Sequence, residues 1–103
     1  MEEVLLDLNE AQQGHFYIAD SNGLIAEMKV DISGKDLRVY HTEVSKGHEG
    51  KGLAKKLFLA MTDYAKKNDL KVTAFCPYVY AQFKRHQEEY ADIWKNSVTG
   101  RAI

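Results

Sequence analysis

Apolar and polar residues alternate with a period of two through the first half of the chain and recur at helical spacing through much of the second. Side chains of a strand project to opposite faces in turn, so a period of two marks a half-buried strand; a period near 3.6 marks one face of a helix. Val4, Leu5, Leu6 and Leu8 predict a first strand, and His15 to Asp20 a second, with the aromatic and β-branched residues that suit a pleated surface. Ser21-Asn22-Gly23 reads as the hairpin turn between this strand and the next, Asn-Gly supplying positive φ angles. In the third strand Leu24, Ala26, Met28 and Val30 alternate with Glu27 and Lys29. Beyond a turn at Ser33-Gly34-Lys35-Asp36, strict alternation sends Leu37, Val39, His41 and Glu43 to one side of a fourth strand and Arg38, Tyr40, Thr42 and Val44 to the other. The first half is thus an antiparallel meander.

The period changes at Gly47-His48-Glu49-Gly50-Lys51-Gly52. From there Leu53, Leu57, Phe58, Met61, Tyr64 and Ala65 recur at helical spacing, with Lys55, Lys56, Asp63, Lys66 and Lys67 on the wetter side. Asn68-Asp69 closes this amphipathic helix, and Leu70 to Phe75 is short, apolar and β-branched enough for a fifth strand. Cys76-Pro77 ends that strand, because proline disfavours helical geometry in the residue before it yet suits the first turn of a helix. A second helix therefore runs from Pro77 to about Arg85 or His86, with Val79, Tyr80 and Phe83 as its apolar positions. Ala91 to Trp94 reads as a last turn or a short strand, and Asn96 to Ile103 as a loose tail. With no linker, repeat or low-complexity stretch, residues 1–103 are expected to form one domain, an α+β sandwich of four strands, helix, strand and helix.

Composition supports one core: 103 residues that are 45% hydrophobic and 11% aromatic are too apolar for a disordered chain. A net charge of −1 leaves no basic excess to neutralise a nucleic-acid backbone. The acidic start, MEEVLLDLNE, lacks the positive segment and apolar run of a secretory signal, and nowhere do 18 apolar residues follow one another. A cytoplasmic protein with neither nucleic-acid nor membrane partner is expected, a monomer or weak dimer. One cysteine, Cys76, cannot form an internal disulfide; it is either a buried small hydrophobe or a reactive thiol. No pair of histidines has a spacing suited to a metal, and no metal site is expected.

The sharpest chemical signal is the glycine-rich turn. A strand followed by such a turn and a helix gathers free backbone N–H groups and the positive end of the helix dipole at one point, which suits phosphate. Gly50 and Gly52 let the backbone approach a ligand, and Lys51 and Lys55 add charge. Two familiar phosphate loops fail here: the Lys after Gly50 is followed by Gly52 rather than Ser or Thr, and Lys55 stands where a dinucleotide fingerprint wants a small residue. From spacing alone, the turn is either an anion site or a flexible connection.

The loop Glu49-Gly50-Lys51-Gly52-Leu53-Ala54 resembles the cofactor loop of GNAT acyl-CoA N-acyltransferases, with Glu49 in place of the usual Arg or Gln. In this it resembles a compact branch, the short N-acetyltransferase-domain proteins, as do His41-Thr42-Glu43-Val44 and Cys76-Pro77-Tyr78-Val79 with Phe83, Lys84, Arg85, His86 and Glu89-Tyr90-Ala91-Asp92 downstream. The segment Gln87-Glu88-Glu89 is one residue longer than the pattern. The resemblance implies a fifth strand parallel to the fourth and splayed from it. It implies acetyl-CoA or coenzyme A as cofactor, with the pyrophosphate on the amides of residues 50–54 and the pantetheine arm along Thr42 to Val44. Thr42, Val44, Glu49, Gly50, Lys51, Gly52, Leu53, Ala54 and Lys55 are the cofactor-binding candidates. The thioester would lie between Val44 and Cys76, so Cys76, His41, Glu43 and Tyr78 are the catalytic candidates, with the Cys76 thiol reachable through the cleft. His41, by alternation with Leu37 and Val39, is either a hydrogen-bonded core histidine or a base. Two functions follow: acetyl transfer to an amine acceptor, or a non-catalytic module that binds or senses acyl-CoA.

Overall fold

The computed structural model describes residues 3–95. Four strands, β1 (Leu5–Leu8), β2 (Gln13–Asp20), β3 (Gly23–Ser33) and β4 (Asp36–Val44), run antiparallel in sequence order. Helix α1 (Leu53–Lys67) then crosses over and returns the chain as β5 (Lys71–Ala74), which pairs parallel with β4, Leu37 opposite Val72 and Val39 opposite Ala74. A parallel neighbour needs such a crossover, and here one fifteen-residue helix supplies it. Helix α2 (Pro77–Arg85) follows directly, with Cys76 as N-cap and Pro77 at the first helical position, where its missing N–H costs nothing. The expected α+β order and the parallel fifth strand are both observed.

Asn68 caps α1, as its sequence suggests, and its N–H returns to the Tyr64 carbonyl at 3.0 Å. The β2–β3 hairpin differs from the Asn-Gly expectation. Gly23 has a positive φ of 120°, but Asn22 does not join it; the Asp20 carboxylate accepts the Asn22 N–H at 2.8 Å and holds the loop another way.

Two bulges break the strict alternation. Ile18 pairs with Ala26 but Ala19 with Leu24, so Ile25 is the extra residue on β3 and both Ile25 and Ala26 are buried. Lys29 pairs with His41 but Val30 with Val39, which makes Tyr40 the extra residue on β4. A single inserted residue exchanges the faces beyond it.

One face of the sheet is covered. Phe16, Ile18, Met28, Leu37, Val39 and Val72 from the strands pack beneath Leu57, Phe58 and Met61 of α1 and Val79 and Phe83 of α2. Phe58 joins the two helices edge-on, its ring centroid 5.4 Å from Phe83 and 5.3 Å from Tyr90. After α2 the chain makes successive turns to Ile93, and Trp94 forms a single parallel bridge with Val72, so the expected last turn and short strand are both partly realised. The expected tail, Asn96 to Ile103, lies outside the described residues.

Candidate active site

The glycine turn opens α1 from a left-handed cap. Gly50 and Gly52 take φ of 82° and 74°, angles that cost a side-chain-bearing residue dearly. The first intrahelical bond runs from the Lys56 N–H to the Gly52 carbonyl, so the N–H groups of Leu53, Ala54 and Lys55 precede the helical ladder. No side chain caps this terminus and its first turn holds no acidic residue. Positive potential therefore accumulates at an open backbone.

Glu49, the departure from Arg or Gln at the head of the loop, turns inward on the turn itself. Its carboxylate accepts the Gly47 N–H at 2.8 Å, and hydrogen bonds from its own backbone N–H and that of Gly47 hold its carboxyl below the usual carboxylate range. The negative charge thus braces the turn. Lys51 donates to Nδ1 of His48 at 3.2 Å, bridging the same loop.

A cavity of about 290 Å³ opens in front of this terminus. Gly50, Gly52, Leu53, Ala54 and Lys55 line it from the turn, Val44 from β4 and Tyr78 from α2. Glu49 and His48 complete the wall. Burial, and to a lesser degree the neighbouring Cys76, push the Tyr78 phenol above its ordinary pKa, so it stays protonated and able to donate at neutral pH. Lys55 also borders a second cavity of about 330 Å³ between the helices, with Gln82 and His86 on its far side.

Between β4 and α2 the sheet parts. The ladder ends at Val39 opposite Ala74, and the Val39 carbonyl accepts both the Phe75 and the Cys76 N–H, at 2.9 and 3.0 Å. There β5 turns into α2 while β4 runs on to Val44 with no β5 residue opposite it. The two ends of this gap are Val44, on the cavity, and Cys76, under α2.

The sequence matches the family model of GCN5-related N-acetyltransferases over residues 15–93, most of the chain. The chain belongs to the GCN5-related N-acetyltransferase family. Among solved structures it is similar to a GCN5-like candidate N-acetyltransferase from Staphylococcus aureus, at 28% identity and a TM-score of 0.65, with 87% of this chain and 86% of that one covered. It shares its fold with a ribosomal-protein-alanine N-acetyltransferase from Brucella melitensis, at 19% identity and a TM-score of 0.58; 79% of this chain aligns with 62% of that one. No curated protein matches.

For a family defined by acetyl transfer to nitrogen, the candidate side chains separate into three places. Tyr78 alone of the four catalytic candidates lines the cavity at the glycine turn. Cys76 is 2% exposed, and its Sγ lies 3.2 Å from Oγ1 of Thr42. The thiol expected to be reachable through the cleft is therefore buried, because α2 begins directly on it and packs Val79 and Phe83 into the core. His41 and Glu43 lie on the sheet's other face, 3.8 Å apart as an exposed pair. Alternation had placed His41 and Glu43 with Leu37 and Val39; the bulge at Tyr40 reverses this and turns Thr42 and Val44 inward instead. Of the cofactor candidates, all but Thr42 and Lys51 border the cavity. His48 borders it too; it stands among polar residues of the loop, and nothing in its periodicity marks it.

Proposed function

We propose that this protein binds acetyl-CoA and transfers the acetyl group to an amine in the cytoplasm. The observation that carries the reading is the convergence of the unpartnered amides of residues 53–55, the Val44 end of β4 and the protonated Tyr78 phenol on one cavity. The open backbone at Gly50 and Gly52, with Lys55 beside it, fits a diphosphate. Val44 and the unpaired end of β4 fit an extended amide-bearing arm, which would pair with the strand as an added neighbour. The second cavity, reached past Lys55, offers Gln82 and His86 to the nucleotide end. When bound, acetyl-CoA supplies an acetyl thioester; transfer replaces its C–S bond by a C–N bond while a proton leaves the amine and another reaches the departing thiolate. Tyr78 holds the proton suited to that thiolate, and a backbone N–H near Val44 suits the developing oxyanion. Among the described residues no helix is long and apolar enough to cross a membrane.

Titration with coenzyme A, followed by amide NMR, tests the site: shifts should concentrate at residues 50–55, Val44 and Tyr78. Shifts elsewhere, or none, overturn it. Turnover of acetyl-CoA against a panel of amines then separates a transferase from a module that only binds.

A further inference from the structure

The cavity at the glycine turn stops short of the inner end of the gap. Val44 of β4 and Tyr78 in the first turn of α2 line it. The next inward-facing residue back along β4 is Thr42, and two residues before Tyr78 stands Cys76. These two do not border the cavity; they meet each other, Thr42 Oγ1 lying 3.2 Å from Cys76 Sγ. Alternate residues of a strand are about 6.7 Å apart, so β4 carries the chain about that far from the cavity wall at Val44 to the closed end at Thr42.

The closed end is firmly built. The Cys76 N–H donates to the Val39 carbonyl at 3.0 Å, and the Cys76 carbonyl accepts the Tyr80 N–H at 2.9 Å, so the backbone on both sides of the thiol is held. Cys76 is 2% exposed, and Val39 and Val79 near it are fully buried. Thr42 is half-buried and β-branched, which restricts the rotation of its side chain. A close-packed interior of this kind resists the insertion of even one methylene.

The direction of the chain decides what meets this end. The glycine turn follows Val44, so an arm that starts at the amides of residues 53–55 and runs along the inner side of β4 passes Val44 first and heads toward Thr42. With the sulfur beside Tyr78, the acyl carbons lie in the short space between Val44 and the Thr42–Cys76 contact. We propose that Thr42 and Cys76 form the end wall of the acyl site and set the length of the acyl group, admitting acetyl and excluding butyryl and longer chains. The proposal rests on the reading above, that the protein is an acetyltransferase with its cofactor at the glycine turn. The pair acts by volume and takes no part in the proton transfers or in the exchange of the C–S for the C–N bond.

Calorimetry without an amine present compares coenzyme A, acetyl-CoA and butyryl-CoA, so the test needs neither turnover nor a known acceptor. The parent should bind acetyl-CoA at least roughly tenfold more tightly than butyryl-CoA, the usual worth of a misplaced methylene. Cys76→Ala shortens the wall on one side and Thr42→Ala on the other, and each should bring the two affinities within about threefold. Thr42→Val and Cys76→Ser nearly keep the side-chain volumes while changing the polar contact, and both should retain the parent's preference. Amide shift differences between the acetyl-CoA and coenzyme A complexes should centre on Thr42 and Cys76; where an alanine variant does not fold, these shifts and the parent's affinity ratio decide the matter. Equal affinities in the parent, an unchanged ratio in the folded alanine variants, or acyl-dependent shifts away from Thr42 and Cys76 overturns the end wall. Loss of the preference in Thr42→Val overturns it as well, because the volume there is unchanged. If neither coenzyme A nor acetyl-CoA perturbs residues 50–55, the transferase reading itself falls and the end wall with it, whereas equal binding of both acyl-CoAs at that turn removes the end wall alone.

Discussion

Oγ1 of Thr42 and Sγ of Cys76 meet at 3.2 Å on the inner side of the gap between β4 and α2. This contact exists because the bulge at Tyr40 turns Thr42 to the covered face of the sheet, and because Cys76 ends β5 as the N-cap of α2. It fastens the far side of a gap that has lost its strand ladder.

A buried thiol with that partner should react slowly. Alkylation of Cys76 by iodoacetamide in the folded protein is expected to be roughly a hundredfold slower than in denaturant, because reaction awaits local opening. Thr42→Val leaves the buried thiol without its partner and should cost about 1 kcal/mol in urea unfolding while speeding alkylation. Equal alkylation rates in native and denatured protein would show the thiol to be open, contrary to its burial.

Gly52 holds φ at 74°, and a Cβ there would meet no heavy atom within 4 Å. The cost of Gly52→Ala is therefore backbone strain alone, about 1–2 kcal/mol for an L-residue in the left-handed region. Gly52→Glu adds a negative charge where the helix terminus is positive and should weaken coenzyme A binding by more than roughly tenfold with the far-UV circular dichroism unchanged. A folded Gly52→Glu protein with native affinity, measured by calorimetry, would make the turn a mere connector.

Much of this was legible in the chain. Leu53, Leu57, Phe58 and Met61 announce α1 because helical spacing survives any tertiary context that buries one face, and Pro77 fixes where α2 begins. The glycine turn was legible because Gly50 and Gly52 serve backbone angles rather than packing. The faces of β4 beyond Val39 were not. A bulge adds one residue to one strand without a composition signal of its own, so the parity that serves Leu37 and Val39 fails at His41 and Thr42. The bracing role of Glu49 was hidden for a related reason: it depends on where the Gly47 N–H points, a property of the folded turn.

That bracing has a pH signature. The Glu49 carboxyl is held below its ordinary range in the folded turn, so the interaction is fully present above the unfolded carboxylate pKa and is lost as pH falls through the lower folded value. The Gly47 amide shift should accordingly titrate at a pH below that of an ordinary glutamate, and Glu49→Gln should abolish the titration. In Glu49→Ala, hydrogen exchange at Gly47 should rise by about tenfold. An amide shift that titrates at the usual glutamate pH would detach Glu49 from the turn.

Tyr78 offers the most direct test of mechanism, because it is the one catalytic candidate that borders the cavity. Burial is the main reason its phenol is raised, with Cys76 adding to it, and both act against the phenolate. The protonated form therefore prevails in the folded protein below the raised pKa, and the capacity to donate is lost only as pH rises through it. Removing the hydroxyl in Tyr78→Phe keeps the ring that packs edge-on to Phe58, with centroids 6.4 Å apart, so fold and cofactor affinity should be preserved. If the phenol supplies the proton to the departing thiolate, kcat for acetyl transfer should fall by roughly 10²–10⁴, the usual worth of a positioned acid, with the coenzyme A dissociation constant within about twofold of the parent. The parent's kcat should also decline on the alkaline side, and Tyr78→Phe should lose that limb. A kcat within about threefold of the parent, with the alkaline limb intact, would assign the proton to solvent and leave Tyr78 as a wall of the cavity.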